Sequence, residues 1–295
     1  MKTLISLFLL TCRDAHSFAI SLFPTTRGVW SRFAARSICA FDETDFQGSV
    51  GEWPYTAKDM KRLDETDDDY FYDTPRFVTH IDDGAIAALK RFYHTEMTAL
   101  QPEKGTIDIL DLCSSWISHL PDNIPFGRVV GIGMNEEELK ANSQLTEYYV
   151  QDLNKEPLLS RFQDHSFDVI CNVVSVDYLT SPKEMFQDMH RVLRPGGIAL
   201  MSFSNRCFPT KAVGMWLLAD DIGRMTIVAS YFHYTAKWTS IEALDLIDAR
   251  LETPPRPSLQ EMFNNPASGF AWMSTATSVA KSNSGDPMFA VKGTK

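Results

Sequence analysis

The sequence has few of the features that would place it at once in several large classes of protein. Its five cysteines are scattered over 295 residues with no Cys-x-x-Cys pair, so neither a disulfide framework nor a metal site is predicted. No Gly-x-Gly-x-x-Gly turn follows an apolar run, which makes a nucleotide-dependent oxidoreductase a poor candidate.

Basic charge is also scarce. The chain has 28 lysines and arginines against 38 aspartates and glutamates, a formal net charge of −10, and no basic stripe is visible. Since nucleic-acid-binding domains usually present a basic face, no nucleic-acid partner is predicted. The apolar share of 44% is enough for a substantial core, and we favour one large domain.

Long apolar runs are missing too, apart from a short one at the N-terminus. Residues 1–17 have a positive start and an apolar core, which is the pattern of a signal peptide and is shorter than the about 20 residues that span a bilayer. Residues 18–40 contain arginine, serine and threonine but no acidic residue, which is the composition of a transit peptide.

Together with the junction Ala15–Ala19, these two segments resemble the bipartite plastid presequence of algae with secondary plastids. The resemblance implies a location in the chloroplast stroma, and we expect no membrane span in the mature chain. A secreted protein with a basic mature start is the alternative.

An acidic segment separates this N-terminus from the rest of the chain. Residues 41–75 contain the run Asp64–Asp69, and we expect a solvated, loosely ordered linker because like charges repel. Residues 76–295 then form the main domain. Three side chains near this junction could fold over a ligand crevice: Tyr72, Arg76 and His80.

Five apolar runs with α/β spacing follow the linker. They begin at Ile107, Arg128, Tyr148, Phe167 and Ile198, and polar segments with helical periodicity lie between them, so the order is β-α-β-α-β. With right-handed crossovers this order predicts a doubly wound, mostly parallel α/β sheet with helices on both faces. Such sheets bind ligands beyond the carboxyl ends of their strands.

Five motifs occur along these runs in a fixed order. They are Leu110-Asp-Leu, Val130-Gly-Ile-Gly133, Gln151-Asp-Leu-Asn154, Ser166-Phe-Asp-Val-Ile170 and His190-Arg-Val-Leu-Arg-Pro-Gly-Gly197. Together they resemble the class I S-adenosylmethionine-dependent methyltransferases, which have a seven-stranded, Rossmann-like sheet. The resemblance implies S-adenosyl-L-methionine as the cofactor.

The resemblance also implies a cofactor site that begins at the end of the first strand. This strand carries Asp111 and ends in the turn Cys113–Ile117, where the family has glycines. Ser114 and Ser115 are small, but each brings a Cβ where only glycine takes a positive φ without strain. The last two residues of the turn could intrude on the pocket.

The second strand departs from the family pattern, and the third keeps it. Gly133 stands where the family has an acidic residue that binds the ribose hydroxyls, and Asn135 or Glu136 could partly replace that acceptor. Asp152 stands where the family binds the adenine amino group, with Leu153 supplying a backbone amide; an aspartate that only caps the next turn is the alternative. Three neighbours complete the implied set of cofactor-binding residues: Gly131, Met134 and Asn172.

The methyl group would meet its acceptor after the fourth strand. Methyl transfer needs mainly an in-line nucleophile, and it needs a base only if the acceptor carries a proton. Asp177 and Tyr178 are the candidate bases, and capping of a helix is the alternative role for Asp177.

Two functions from different classes fit these residues. The first is S-adenosylmethionine-dependent methyl transfer to a small molecule that the sequence does not name. The second is a catalytically inactive methyltransferase-like protein that acts as a binding or assembly factor on a plastid protein partner. Loss of both the glycines and the ribose acid favours the second function, whereas the retained Asp111 and Asp152 favour the first.

We predict that residues 1 to about 40 are absent from the mature protein, because their pattern fits targeting and not packing. Mass spectrometry of the native N-terminus should find a first peptide that begins near Phe41. An intact peptide that begins at Met1 or Thr3 in the mature pool would contradict this prediction.

Overall fold

The described residues form one central sheet of eight strands. The computed structural model describes residues 36–102, 104–246 and 285–295, with 257–258, 261, 265, 267–268 and 271–274 between the last two ranges. The strands are β1 (Arg36–Phe41), β2 (Ile107–Leu112), β3 (Phe126–Gly133), β4 (Glu147–Val150), β5 (Phe167–Val173), β6 (Leu193–Phe203), β7 (Ser240–Asp245) and β8 (Phe289–Thr294). The helices are α1 (Asp68–Phe71), α2 (Asp83–Ala99), α3 (Glu136–Ala141), α4 (Pro182–Val192), α5 (Gly214–Leu217) and α6 (Asp221–Thr235).

The strands follow the order β1-β7-β8-β6-β5-β2-β3-β4 across the sheet. From β6 to β4 all neighbouring strands are parallel. Strand β8 is antiparallel to both of its neighbours, and β1 is antiparallel to β7. The prediction of a mostly parallel, doubly wound sheet is confirmed, and β1 adds an eighth strand to the seven expected.

Both hydrophobic cores are built on β2, because every residue from Ile107 to Leu112 is buried. Successive side chains of a strand point to opposite faces. Ile109 therefore packs in one core with Phe92 of α2, and Leu110 packs in the other with Phe186 of α4. Helices cover both faces of the sheet, as predicted. Within the described residues, no helix combines the length and the apolar character needed to cross a membrane.

Two connections that were expected to be helical are loops. Residues 113–125, between β2 and β3, and residues 151–166, between β4 and β5, contain no helix. Pro121 and Pro125 have no backbone N–H to donate, and His119 takes a left-handed φ of 55°, so a helix cannot run through the first connection. The strict β-α-β-α-β alternation is therefore wrong at these two places.

The acidic segment 41–75 is not the loosely ordered linker that its charge predicted. Asp68 is only 5% exposed, and its carboxylate binds Arg62 (2.7 Å), Lys211 (3.1 Å) and the amide of Asn154 (3.0 Å). We term these four residues the Asp68 cluster. Because Lys211 and Asn154 belong to distant parts of the chain, the cluster fastens the acidic segment to the domain.

The predicted boundary between transit peptide and mature chain falls inside β1. Residues 1–35 lie outside the described residues, whereas Arg36–Phe41 pairs with β7. Cleavage after residue 40 would leave one residue of this strand, so a cut before Arg36 would preserve the sheet better. The domain boundaries stay a prediction.

We expect Asp68→Asn to destabilise the fold, because the change leaves the buried Arg62 guanidinium without a counter-charge and leaves Lys211 with Asp64 as its remaining carboxylate. Removing one partner of a buried ion pair costs about 3–5 kcal/mol, and urea denaturation at pH 7 should show this loss in the free energy of unfolding. Asp69→Asn is the matched control: its side chain is 65% exposed and pairs with Lys155, so the loss should stay within about 1 kcal/mol.

The pKa of Asp68 adds a pH dependence to this prediction. Burial raises the pKa, but hydrogen bonds from Arg62, Asn154 and Lys211 outweigh burial and hold it below the usual 3.8. A carboxylate with a lowered pKa stabilises the fold above its unfolded pKa and loses this contribution as the pH falls. The difference in the free energy of unfolding between wild type and Asp68→Asn should therefore become smaller as the pH falls from about 5 to about 3. A difference that stays constant over this range would contradict the prediction.

Candidate functional site

A cavity of about 310 Å³ opens at the carboxyl ends of β2, β3, β4 and β5, where a parallel sheet is expected to bind its ligand. Its volume lies at the lower end of the range for small-molecule sites, about 300–1,000 Å³. Most of the predicted site residues line it: Asp111, Cys113, Ser114, Ser115, Gly133, Met134, Asn135, Asp152, Leu153 and Tyr178.

Side-chain hydroxyls hold the turn after β2. Ser114 Oγ and Ser118 Oγ each donate to Asp111 Oδ2 at 2.6 Å. Asn142 Nδ2 donates to Ser118 Oγ (2.8 Å) and to the carbonyl of Ser115 (2.9 Å). Burial raises the pKa of Asp111 to about 6. Asp111 therefore fixes the shape of the turn through the two serines.

The sequence suggested that Ser114 or Ser115 takes the positive φ of this turn. In the structure Cys113 takes it instead. Cys113 has a φ of 56°, a conformation that costs a residue with a Cβ about 1–2 kcal/mol. Burial raises the pKa of its thiol to about 12. The thiol is therefore neutral at pH 7 and is not an activated nucleophile.

Gly133 lets the backbone of this turn lie directly against β3. A Cβ on Gly133 would be 2.1 Å from the carbonyl oxygen of Ser114, and Ser114 N donates to Ile132 O (2.7 Å). An acidic side chain at position 133 does not fit beside the turn in this conformation. The two departures from the family pattern, the absent acid at position 133 and the turn without glycines, therefore depend on each other.

Neither side chain that was expected to replace the acid offers the cavity a free acceptor, because Glu136 does not line it and the Asn135 side chain already has partners. Asn135 Oδ1 accepts two backbone N–H groups as the cap of α3, and its Nδ2 donates to Tyr72 O (2.9 Å). Glu136 has a side chain that is 57% exposed and pairs with Lys140. The ribose end of the site therefore has no substitute acceptor at these two positions.

Asp152, just after β4, keeps an acceptor on the cavity wall. Its Oδ1 accepts from Asn154 N (2.8 Å), so it does cap the next turn, and its Oδ2 lies 3.8 Å from Lys155 Nζ. Burial raises the pKa of Asp152. A ligand amino group that donates to this carboxylate would offset that burial, so the capping role and the binding role are compatible.

Three residues of the predicted set do not line the cavity. Gly131 packs under Leu145, since a Cβ there would lie 2.5 Å from Leu145 Cδ1. Asn172 is buried and donates to the carbonyl of Leu112 (3.1 Å). Asp177 is 2% exposed, and burial raises its pKa to about 8. Its carboxyl group is therefore mainly protonated at neutral pH.

Tyr178 lines the cavity, but its hydroxyl is already engaged. The phenol oxygen accepts from Phe208 N (2.8 Å), and burial raises its pKa. Neither Asp177 nor Tyr178 is therefore in the ionised form that a general base needs at neutral pH.

Residues 72–80, which we term the strap, close one side of the cavity. Trp116 Nε1 donates to the carbonyl of Val78 in the strap (3.1 Å). The strap contributes the three side chains that the sequence suggested could fold over the crevice: Tyr72, Arg76 and His80.

Glu138 and His119 are among the polar residues of the wall that were not predicted from the sequence. Glu138 accepts from Ser115 Oγ and Arg76 N; an Asn cap followed three residues later by Glu is close to a capping-box pattern and could have indicated this position. His119 is 6% exposed, and burial lowers its pKa to about 4. No sequence signal marks His119, because its placement depends on a left-handed backbone.

Three acidic side chains meet at one edge of the cavity. Oxygens of Asp67, Asp69 and Asp152 lie within 4.8 Å of one another. Lys155 Nζ lies 2.6 Å from Asp67, 2.7 Å from Asp69 and 3.8 Å from Asp152. The Lys155 ammonium group therefore offsets part of this negative charge.

The wall fits S-adenosylmethionine better at its adenine end than at its ribose end. Asp152 offers an acceptor beside Leu153, as the resemblance implies. At the ribose end, Gly133 has no side chain and could not carry one in this conformation. The geometry is therefore compatible with an adenine group at Asp152 and not with a ribose-binding carboxylate at position 133.

We expect Gly133→Asp, which restores the family's acid, to destabilise the protein. A Cβ held 2.1 Å from a backbone oxygen cannot be relieved by a side-chain rotation. The expected loss is about 1–3 kcal/mol, and calorimetry should show a fall in Tm of about 2–4 °C per kcal/mol for a chain of this size.

Gly84→Ala is the control for this change, because its Cβ would lie 3.2 Å from a side-chain oxygen of Asp82 and 4.0 Å from the Cα of Gly285, with no closer contact. It should shift the stability by no more than about 1 kcal/mol. A Gly133→Asp protein as stable as wild type would show that the turn relaxes freely.

Comparison with known proteins agrees with this geometry. Residues 110–201 match the family model described as a methyltransferase domain, while no curated protein matches the chain. The chain is also similar to solved S-adenosylmethionine-dependent methyltransferases. One from Mesorhizobium loti has 14% identity and a TM-score of 0.37, over 68% of this chain and 96% of that one. Another, from Archaeoglobus fulgidus, has 12% identity and a TM-score of 0.40, over 71% and 94%. Residues 110–201 therefore match a methyltransferase domain, and the described strands around them form the mostly parallel α/β sheet that the sequence predicted.

Proposed function

We propose that this protein transfers a methyl group from S-adenosylmethionine to a small-molecule acceptor. The observation that carries the proposal is that one cavity joins Asp152, the turn after β2 and Tyr178. A nucleoside held at Asp152 and an acceptor beside Tyr178 would share that space. The family match over residues 110–201 supports the same class of reaction.

The cofactor would supply a methyl group bound to a positively charged sulfur. The chain's own residues would then orient the reactants and exclude water. Asp152 would accept a hydrogen bond from the adenine amino group, and the strap would shield the acceptor from solvent. Because Asp177 and Tyr178 are protonated at neutral pH, the proposal favours an acceptor whose nucleophile needs no base from the protein.

A non-catalytic binding or assembly factor is the second candidate. The observation that favours it is that the polar groups near the ribose position already have partners: Asn135 caps α3, and Glu138 accepts from Ser115 and Arg76. A cavity with so few free acceptors would bind the cofactor weakly. In that case its partner would be a plastid protein.

The location in the chloroplast stroma is also a proposal. It is supported by the presequence pattern of residues 1–40, with secretion as the alternative. The N-terminal peptide identified by mass spectrometry would test both the stromal location and secretion.

We expect S-adenosylhomocysteine to bind, but weakly. The missing ribose carboxylate costs about 1.5–3 kcal/mol and the strained turn about 1 kcal/mol. Micromolar affinity would weaken to roughly 0.1–10 mM, and a ligand-observed NMR titration can measure such a range. Asp152→Ala should weaken binding about a further tenfold, since it removes a charged acceptor.

Asp164→Ala is the matched control, because Asp164 has a side chain that is 64% exposed and lies on the surface beside Arg191. Its affinity should equal that of wild type. No binding up to about 10 mM, with circular dichroism confirming the fold, would reject the enzyme proposal and leave the binding factor. Micromolar binding would instead show that another group replaces the ribose acid.

A further inference from the structure

Arg76 of the strap brings a guanidinium group to the cavity wall. In the described ranges this group donates one hydrogen bond, from Nη2 to the carbonyl of Phe71 (2.7 Å), and no carboxylate lies within ion-pair distance of it. Its central carbon lies 4.5 Å from the centre of the Phe71 ring and 5.6 Å from that of Phe208. The aromatic faces hold the cation in place and leave Nε and Nη1 available to a ligand.

The four described carboxylates that share the wall with Arg76 have other hydrogen-bond partners, and none forms an ion pair with its guanidinium. Asp68 pairs with Arg62 and Lys211 in the Asp68 cluster. Glu138 accepts from the backbone N–H of Arg76 at 2.6 Å and not from its guanidinium. The remaining two are Asp111, bound by serines, and Asp152, which faces Lys155.

The position of Arg76 associates it with the acceptor side of the cavity. Phe208 lies next to both groups: its ring is within 5.6 Å of the Arg76 guanidinium, and its N–H binds the hydroxyl of Tyr178. Tyr178 follows β5, where the acceptor is expected. Arg206 also lines the wall, but its Nε already binds Asp286 (2.8 Å).

We propose that Arg76 binds an oxyanion of the methyl acceptor, a carboxylate or a phosphate. This proposal rests on the proposed function, because it names the acceptor class of the same cavity. A planar guanidinium matches such groups with two parallel hydrogen bonds, and partial burial strengthens them. The aromatic wall formed by Tyr72, Trp116, Tyr178 and Phe208 would pack against the rest of the acceptor.

The test is binding of benzoate and of phenyl phosphate to the full chain, measured by ligand-observed NMR, with benzamide as the uncharged counterpart. Wild type should bind at least one of the two anions and bind benzamide about tenfold more weakly or not at all. Arg76→Gln should lose about tenfold in anion affinity. The anion affinity of Arg76→Lys should lie between those of wild type and Arg76→Gln, because lysine keeps the charge but lacks the two parallel N–H donors of a guanidinium.

Arg161→Gln is the matched control, since Arg161 also stacks on an aromatic ring, at 4.1 Å from the centre of Tyr149, but does not line the cavity. Its anion affinity should equal that of wild type. Equal affinity of Arg76→Gln and wild type, or no anion binding to wild type, would overturn the proposal. Stronger binding of benzoate than of phenyl phosphate would indicate a carboxylate, and the reverse order a phosphate.

The cofactor has a carboxylate of its own, and a second titration separates the two sources. S-adenosylhomocysteine carries that carboxylate, whereas 5′-methylthioadenosine lacks it. If Arg76→Gln weakens only S-adenosylhomocysteine, Arg76 binds the cofactor and the acceptor proposal is wrong. If the anions bind through Arg76 but neither nucleoside binds, the methyl-transfer function fails while the oxyanion site stands.

Discussion

The contact between the carbonyl oxygen of Ser114 and the bare backbone of Gly133 is the constraint on which the rest of the site depends. Because the turn packs directly against β3 at this point, no side chain fits at position 133. Ser114 and Ser118 then lie close enough to occupy Asp111. Ser114, Gly133 and Asp111 are therefore coupled. The effects of single substitutions at these positions on stability are not expected to be additive.

The same unit extends to the strap. Asn135, which follows Gly133, uses its side chain to cap α3 and to hold the carbonyl of Tyr72. Glu138 binds Ser115 on one side and the backbone of Arg76 on the other. Polar groups that could have bound a ribose thus fasten the cover of the cavity instead, so the changed turn and the closed strap belong together.

Local patterns were enough to predict most of the sheet and part of the site. The aliphatic run of β2 is a strand that is buried throughout, and Asp152 lines the cavity as its motif predicted. The burial of Asp68 could not be predicted in this way, because its partner Lys211 is far away in sequence. A dense acidic run by itself predicts a solvated segment. The burial of Asp177 depends in the same way on residues that only the folded chain brings around it.

Strand β1 has a consequence for how the chain behaves outside its own fold. It covers the backbone of β7 along Ile241–Asp245 and is itself the last strand of the sheet, with an outer edge that pairs with no other strand among the described residues. Uncovered strands of this kind recruit other chains by edge-to-edge pairing. The register of β1 shifts between Ser37 and Cys39, and an irregular edge of this kind hinders edge-to-edge pairing with another chain.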